Sequence, residues 1–162
     1  MIIRAFIHGL ESSGQGTKGQ FFRQRYPEML IEDYEGPFPE RMAKLNRLLD
    51  GKNDLILVGS SYGGLMAAVF TCENPERVRK LILLAPALML PEFHPCRATR
   101  LTIPVDLYHG RQDIIVPPAL TREIAESVYE NLTYHAVDDD HSLLGHFEQM
   151  PWDRLLEKQI NG

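Results

Sequence analysis

The sequence has few cysteines, no excess of basic residues and no long apolar run. Its 162 residues include two cysteines, and 17 basic against 22 acidic residues give a formal net charge of -5. Two cysteines, Cys72 and Cys96, supply neither a disulfide framework nor metal-ligand spacing, so we expect reduced thiols and a cytoplasmic location. Because a nucleic-acid groove needs clustered Lys and Arg, the mild acidity excludes that partner class. A membrane span would need about twenty consecutive apolar residues, and none is expected.

Strand-like and helix-like segments alternate along the chain. Short apolar, β-branched runs predict six strands, at 2–7, 29–31, 55–58, 78–84, 105–108 and 132–137. Helix formers at helical spacing predict five helices, at 18–26, 40–49, 62–72, 119–129 and 143–158. This alternation predicts one α/β domain over residues 1–162, with a mostly parallel sheet and helices on both faces. The runs 55–58 and 81–84 are apolar at every position, as central strands buried on both faces require.

A serine stands in a tight turn between the third strand and the following helix. The segment 59–64 reads Gly-Ser-Ser-Tyr-Gly-Gly, a G-x-S-x-G pattern in a strand–turn–helix setting. Side chains two positions from the turn residue would collide, so Gly59 and Gly63 fix the register on Ser61 rather than Ser60. A serine held there at a helix N-terminus is a candidate nucleophile, because backbone N–H groups nearby stabilise an oxyanion.

Two further groups follow strands that end at the same edge of the sheet. A serine nucleophile needs a base, and the base needs an acid to orient it, in the chain order Ser, Asp or Glu, His for this strand–turn–helix motif. Asp113 follows the fifth strand and His141 follows the sixth, so both are expected near Ser61. The three acids at 138–140 remain alternative orienting groups, although their closeness in sequence to His141 disfavours a good hydrogen bond.

The glycine-rich loop after the first strand is a candidate oxyanion-binding loop. Leu10 N–H is one expected donor and Tyr62 N–H, just after the nucleophile, is the other. A phosphate-binding loop is the alternative interpretation of this segment. It fails in detail, because Lys18 follows Thr17 rather than glycine and the G-x-x-x-x-G-K order is absent.

Taken together, these motifs resemble the α/β-hydrolase superfamily, and most closely small bacterial serine esterases without a cap domain. The resemblance rests on His8-Gly9, the Gly59–Gly64 turn, the 109–117 segment and His141, which span nearly the whole chain in the family's order. It implies a minimal sheet of six parallel strands in the order 2-1-3-4-5-6, with the usual cap reduced to the proline-rich interval 86–104. A partner subunit covering an exposed sheet edge, as in a homo-oligomer, is left open.

The resemblance implies a serine hydrolase that cleaves a small carboxylic ester or thioester through an acyl-enzyme, with no cofactor and no metal. By resemblance, Ser61, Asp113 and His141 form the triad, while Leu10 and Tyr62 supply the oxyanion N–H groups. An apolar acyl-binding wall is expected, unless its members only pack the 86–104 interval onto the sheet; its candidates are Tyr62, Leu88, Met89, Leu90 and Phe93. Alternative functions are amide cleavage or peroxide-dependent acyl transfer by the same triad, a non-catalytic binding protein of this fold, and a flavodoxin-like nucleotide-binding module.

Overall fold

The computed structural model describes residues 1–10 and 12–159, and its strands form one six-stranded parallel sheet. The strand order β2-β1-β3-β4-β5-β6 confirms the predicted topology. The strands are β1 (Ile3–Ile7), β2 (Leu30–Ile31), β3 (Leu55–Ser60), β4 (Val78–Leu84), β5 (Leu101–Gly110) and β6 (Tyr129–Val137). The helices are α1 (Thr17–Arg25), α2 (Phe38–Leu48), α3 (Tyr62–Glu73), α4 (Pro118–Val128) and α5 (Trp152–Leu155). Three 3₁₀ turns cover Pro75–Arg77, Pro91–Cys96 and Phe147–Gln149.

The sheet lies between two layers of helices. Successive strand residues point to opposite faces. Leu55 and Leu57 of β3 therefore pack with α2, α3 and α4, while Ile56 and Val58 pack with α1 and α5. All four of these side chains are fully buried, as the continuous apolar run predicts for a central strand. In the described part of the chain, no helix is long and apolar enough to cross a membrane.

The predicted long helix over residues 143–158 is wrong. Those residues form turns, the 3₁₀ turn Phe147–Gln149 and the short helix α5. Pro151 has no N–H and disfavours a helical backbone at Met150, so a continuous helix cannot pass this point. Leu143 at the other end has a φ of 60° and also lies outside helical geometry. Leu143, Phe147, Trp152 and Leu155 still reach the core, where they are buried with α1 and the sheet.

The expectation of two reduced thiols is also wrong. Cys72, near the end of α3, forms a disulfide with Cys96, the last residue of the 3₁₀ turn Pro91–Cys96. Their Cα atoms are 6.0 Å apart, a usual separation for a disulfide. The bond attaches the proline-rich interval 86–104 to the helix that follows Ser61.

The loops after β5 and β6 are joined where the two strands end. Arg111 N–H donates to the carbonyl of Val137 at 2.8 Å, and Gln112 N–H donates to the carbonyl of Asp139 at 3.0 Å. A Cβ on Gly110 would overlap the Asp139 carbonyl oxygen, so only glycine permits this approach. The two loops thus form one unit at the carboxyl edge of the sheet.

Candidate active site

Ser61 occupies a strained turn between β3 and α3. Its φ of 56° and ψ of -113° lie where side chains are rarely found, at a cost of about 1–3 kcal/mol. Backbone hydrogen bonds hold this conformation. The Ser61 N–H donates to the carbonyl of Leu84 at 2.9 Å, and its own carbonyl accepts from Gly64 at 3.0 Å and Leu65 at 3.2 Å. The turn therefore fixes the position from which the Ser61 hydroxyl projects.

Close backbone packing explains the glycines on either side of Ser61. A Cβ on Gly59 would overlap the backbone of Gly63, and a Cβ on Gly63 would overlap the carbonyl oxygens of Ile7 and His8. Both clashes are with backbone atoms, which cannot move aside as a flexible side chain would. The spacing used to choose Ser61 thus has a steric basis in this fold.

The structure brings together the three residues predicted to form the triad. The Ser61 hydroxyl lies 2.9 Å from Nε2 of His141, and Nδ1 of His141 lies 2.7 Å from Oδ2 of Asp113. An ionised carboxylate only accepts hydrogen bonds, so Nδ1 of His141 carries the proton and donates to Asp113. Nε2 is then free to accept from the Ser61 hydroxyl. The His141 side chain is 21% exposed and that of Asp113 is fully buried. The series of hydrogen bonds therefore leads from the surface at His141 to the interior at Asp113.

Four hydrogen bonds surround the buried Asp113 carboxylate. Oδ1 accepts from the N–H groups of Ile115 and Val116, both at 2.8 Å. Oδ2 accepts from His141 at 2.7 Å and from His109 at 3.1 Å. Burial by itself would raise the pKa of Asp113, but the hydrogen bonds from Val116, His141 and Ile115 outweigh it and lower the pKa. Asp113 is therefore held as a carboxylate, the form that an orienting acid needs.

His109 is part of this arrangement, although the sequence motifs gave it no role of its own in the site. Its Nε2 lies between two acceptors, Oδ2 of Asp113 at 3.1 Å and the carbonyl of Val116 at 3.0 Å, so Nε2 carries the proton. Burial lowers the pKa of His109 despite these acceptors, which favours the neutral ring. The signal available in the sequence was its position four residues before Asp113 at the end of a strand.

The three acids at 138–140 have other partners. Asp138 accepts from the side-chain amide of Gln112 at 2.8 Å, and Asp139 pairs with Nδ1 of His146 at 2.9 Å. Asp140 accepts from the N–H and hydroxyl of Ser142, at 2.9 and 2.6 Å. In the described residues, the carboxylate that contacts His141 is that of Asp113, and these three acids shape the preceding turn.

The backbone near Ser61 includes both N–H groups predicted to bind an oxyanion. Gly9 approaches so closely that a Cβ on it would lie 3.3 Å from Cβ of Ser61. Tyr62 opens α3, so its N–H has no acceptor within the helix. The Leu10 N–H shares a peptide with the Gly9 carbonyl. Their assignment to an oxyanion hole stays a prediction.

The ring of His8 fixes the peptide that carries the Leu10 N–H. Its Nε2 accepts from the N–H of Tyr34 at 2.8 Å, so Nδ1 carries the proton and donates to the Gly9 carbonyl at 2.7 Å. Because the peptide is planar, holding its carbonyl also sets the direction of the Leu10 N–H. Burial lowers the pKa of His8, which favours the neutral form that these two bonds require. His8 thus orients the loop that approaches Ser61.

An open cleft of about 290 Å³ contains Ser61 and His141. Its lining includes the polar residues Ser12, Lys18 and Ser142 and two apolar residues, Leu10 and Ile115. The latter two residues are 55% and 65% exposed, so substrate would reach Ser61 directly from solvent. Among residues 1–10 and 12–159, no three His, Cys, Asp or Glu side chains gather as a metal site would require.

The predicted acyl-binding wall is wrong. Leu88 and Phe93 have no exposed surface and belong to the core beside α3, while Tyr62 and Met89 pack partly against the same core. Leu90 also packs partly against this core, and none of the five candidates lines the cleft at Ser61. The reason is that the 86–104 interval folds onto α3, where the 3₁₀ turn Pro91–Cys96 and the disulfide attach it. These side chains therefore pack against the core instead of lining a substrate site, which was the alternative interpretation of their sequence.

Comparison with known proteins identifies the family by sequence. Residues 11–102, more than half of the chain, match the family model for the alpha/beta hydrolase fold. No curated protein sequence matches the chain significantly.

Solved structures share the same fold. The mouse alpha/beta hydrolase domain-containing protein 10 superposes with a TM-score of 0.78 at 22% identity, covering 96% of this chain and 89% of that one. A monoacylglycerol lipase from Paleococcus ferrophilus gives 0.76 at 15% identity, covering 96% and 94%. Est1E from Butyrivibrio proteoclasticus, with ferulic acid bound, gives 0.75 at 17% identity, covering 97% and 87%. At these identities the likeness is one of fold, and fold alone does not define a reaction.

Proposed function

Because the chain belongs to the alpha/beta hydrolase fold family, we propose that it is a serine hydrolase with Ser61, His141 and Asp113 as its catalytic triad. One observation carries the proposal: the continuous hydrogen bonds from the Ser61 hydroxyl to His141 and from His141 to Asp113, at 2.9 and 2.7 Å. Each atom has the protonation state that its role requires. The base nitrogen is unprotonated, the other ring nitrogen is protonated, and the acid is ionised.

In the first half-reaction, the Ser61 oxygen attacks the acyl carbon of the substrate. Nε2 of His141 takes the hydroxyl proton as the new C–O bond forms. The ring becomes positively charged, and the Asp113 carboxylate stabilises that charge without taking the proton. The tetrahedral intermediate then collapses, and His141 returns the proton to the leaving alcohol or thiol. The acyl group is left on Ser61.

The N–H groups of Leu10 and Tyr62 support the proposal as donors to the negatively charged oxygen of that intermediate. Removing one such donor typically costs about 3 kcal/mol of transition-state stabilisation. The hydrogen bond from His8 to the Gly9 carbonyl, at 2.7 Å, holds one of the two peptides in advance. Donors that are already oriented need no reorganisation when the charge develops.

In the second half-reaction, water attacks the acyl-Ser61 carbonyl. His141 now removes a proton from the water and returns it to Ser61, which restores the free enzyme. No step needs a cofactor. The carboxylic acid product leaves through the same open cleft.

The proposed substrates are small carboxylic esters or thioesters. Leu10 and Ile115 offer a short apolar surface beside Ser61, and the cleft of about 290 Å³ limits the group that fits against it. The similar folds of a monoacylglycerol lipase and of Est1E support ester chemistry by analogy of fold.

Active-site labelling tests the nucleophile directly. A fluorophosphonate probe should modify the wild-type protein, and mass spectrometry should find the adduct on the peptide that contains Ser61. Ser61→Ala should lose labelling, with hydrolysis of 4-nitrophenyl butanoate falling by about 10⁶-fold. Ser60→Ala is the matched control from the same turn and should still be labelled. An adduct on Ser60, or equal labelling of wild type and Ser61→Ala, would show that the nucleophile is assigned wrongly.

A cytoplasmic location stays a prediction from the sequence. The disulfide between Cys72 and Cys96 bears on it, because disulfides persist mainly in oxidising compartments. Localisation of a tagged full-length chain by fractionation decides the question.

A further inference from the structure

A lysine lies at the cleft that contains Ser61, and the proposed mechanism does not use it. Lys18, in the first turn of α1, lines this cleft together with Ser12. The same two residues line an adjoining cavity of about 190 Å³, which also meets Thr17 and Leu144. The two cavities therefore share a border that carries an ammonium and a hydroxyl group.

The Lys18 ammonium lies over a buried aromatic ring. Its Nζ lies 5.6 Å from the ring centre of Phe147, which is fully buried, so the ring face supports the charged end. The side chain is half-buried, and this burial lowers the pKa of Lys18 although Asp139 and Asp140 act in the opposite sense. A partly desolvated ammonium gains more from an anionic ligand than a fully hydrated one does.

The two carboxylates that act on the pKa of Lys18 already accept hydrogen bonds from their own loop. Oδ2 of Asp139 accepts from His146 at 2.9 Å, and Oδ1 of Asp140 accepts from the Ser142 hydroxyl at 2.6 Å. Within residues 1–10 and 12–159, no carboxylate forms an ion pair with Lys18. Lys18 thus lines both cavities without a carboxylate partner among these residues.

We propose that Lys18, with the Ser12 hydroxyl, forms a subsite for a carboxylate or phosphate group carried by the substrate. The preferred substrates are then esters whose scissile carbonyl and anionic group are joined by a short arm, with the hydrocarbon part lying along Leu10 and Ile115. This inference rests on the proposed function and adds the substrate class. Ser61 supplies the chemistry, and Lys18 selects which ester is bound.

Matched ester pairs test the subsite. Mono-4-nitrophenyl adipate and 4-nitrophenyl hexanoate have the same chain length and differ by a terminal carboxylate on the acyl side. The pair 4-carboxyphenyl butanoate and phenyl butanoate places the same difference on the leaving group. For each pair, the ratio of kcat/KM for the anionic ester to that for the neutral ester is measured in wild type and variants.

Lys18→Met should lower this ratio by about 10-fold or more in at least one pair, the effect expected for losing one charge-assisted hydrogen bond. Lys18→Arg should restore most of it, because the charge is kept. Lys52→Met removes the same charge at the opposite edge of the sheet, before β3, and should leave the ratio unchanged. If Lys18→Met changes the ratio by less than twofold in both ester pairs, the proposed subsite is wrong.

A binding measurement separates this inference from the proposed catalysis. Calorimetry is done on Ser61→Ala with 4-carboxyphenyl butanoate and with monomethyl adipate, and repeated on the double variant with Lys18→Met. Weaker binding of either anionic ligand in the double variant supports the subsite even if no ester is hydrolysed. Equal binding of both ligands in the two proteins contradicts it even if Ser61 is the nucleophile.

Discussion

Nε2 of His109 donates a hydrogen bond to Oδ2 of Asp113, the same oxygen that accepts from His141. The His109 side chain is fully buried, and its second acceptor is the carbonyl of Val116 at 3.0 Å. The ring therefore ties Asp113, the proposed orienting acid, to the loop whose N–H groups also donate to it. His109 does not line the cleft, so we propose that it acts through Asp113 as a positioning residue.

Replacing His109 should change turnover more than substrate binding. His109→Leu removes one donor from Asp113 and should lower kcat by about 10-fold, the effect of losing one hydrogen bond to a charged group, with KM nearly unchanged. His109→Gln places an amide N–H near the position of Nε2 and should recover much of this loss. Steady-state kinetics with a 4-nitrophenyl ester gives both parameters. A loss that appears in KM, or an equal loss in both variants, would mean that His109 only supports the fold.

Replacing the acid by its amide should have a larger effect. Asp113→Asn keeps the size of the side chain but loses the charge and allows the wrong His141 tautomer, so kcat should fall by about 10⁴-fold. Fluorophosphonate labelling should slow in parallel. Asp140→Asn is the matched control from the neighbouring loop, where the carboxylate contacts Ser142. Full activity in Asp113→Asn with a loss in Asp140→Asn would transfer the acid role to the 138–140 turn.

Two buried histidines should make the fold sensitive to mild acid. Burial lowers the pKa of both His8 and His109, while the unfolded chain takes up protons near the ordinary value of about 6.5. Below that pH the unfolded state binds more protons than the folded state, so the free energy of unfolding falls as the pH falls. Each histidine contributes up to about 1.4 kcal/mol per pH unit until its lowered pKa is reached.

Urea unfolding at several pH values from 7 to below 6 measures this effect. The stability difference between wild type and His109→Gln should shift in favour of the variant as the pH drops. A difference independent of pH over this range would mean that His109 titrates alike in the folded and unfolded chains.

The disulfide should contribute measurably to stability. Cys72 and Cys96 are 24 residues apart, and the bond between them should stabilise the fold by about 3 kcal/mol, because it restricts the conformations of the unfolded chain. A reducing agent should therefore lower the Tm of wild type and leave that of the Cys72→Ser, Cys96→Ser double variant unchanged. The protein is also unfolded in the absence of reductant and treated with Ellman's reagent. Two reactive thiols would then show that the disulfide is not formed.

Local sequence patterns predicted the sheet and the central contacts of the site well. Continuous apolar runs mark buried parallel strands, and the tight glycine spacing around Ser61 reflects contacts made within one turn. Asp113 and His141 were found because parallel strands all end at one edge of the sheet. The topology thus turns positions far apart in sequence into neighbours.

Side-chain packing between distant segments was not predictable in the same way. Leu88 and Phe93 have the composition of a substrate wall, but whether an apolar side chain faces core or cleft depends on where the 86–104 interval folds. The final segment has helical spacing, yet Pro151 breaks the helix while Phe147 and Trp152 on either side of it are still buried. His109 and Lys18 carry no motif of their own. The two acceptors of His109 lie in the loop after its own strand, and Phe147, which lies under the Lys18 ammonium, comes from the segment after β6.

The strained turn at Ser61 has a thermodynamic consequence. A φ of 56° suits glycine far better than serine, so Ser61→Gly should raise the melting temperature while it abolishes labelling. The residue proposed as most important for the reaction would then be one that weakens the folded state. Selection for thermal stability alone would replace Ser61 by glycine. The presence of serine at this position would then reflect a trade-off between stability and activity.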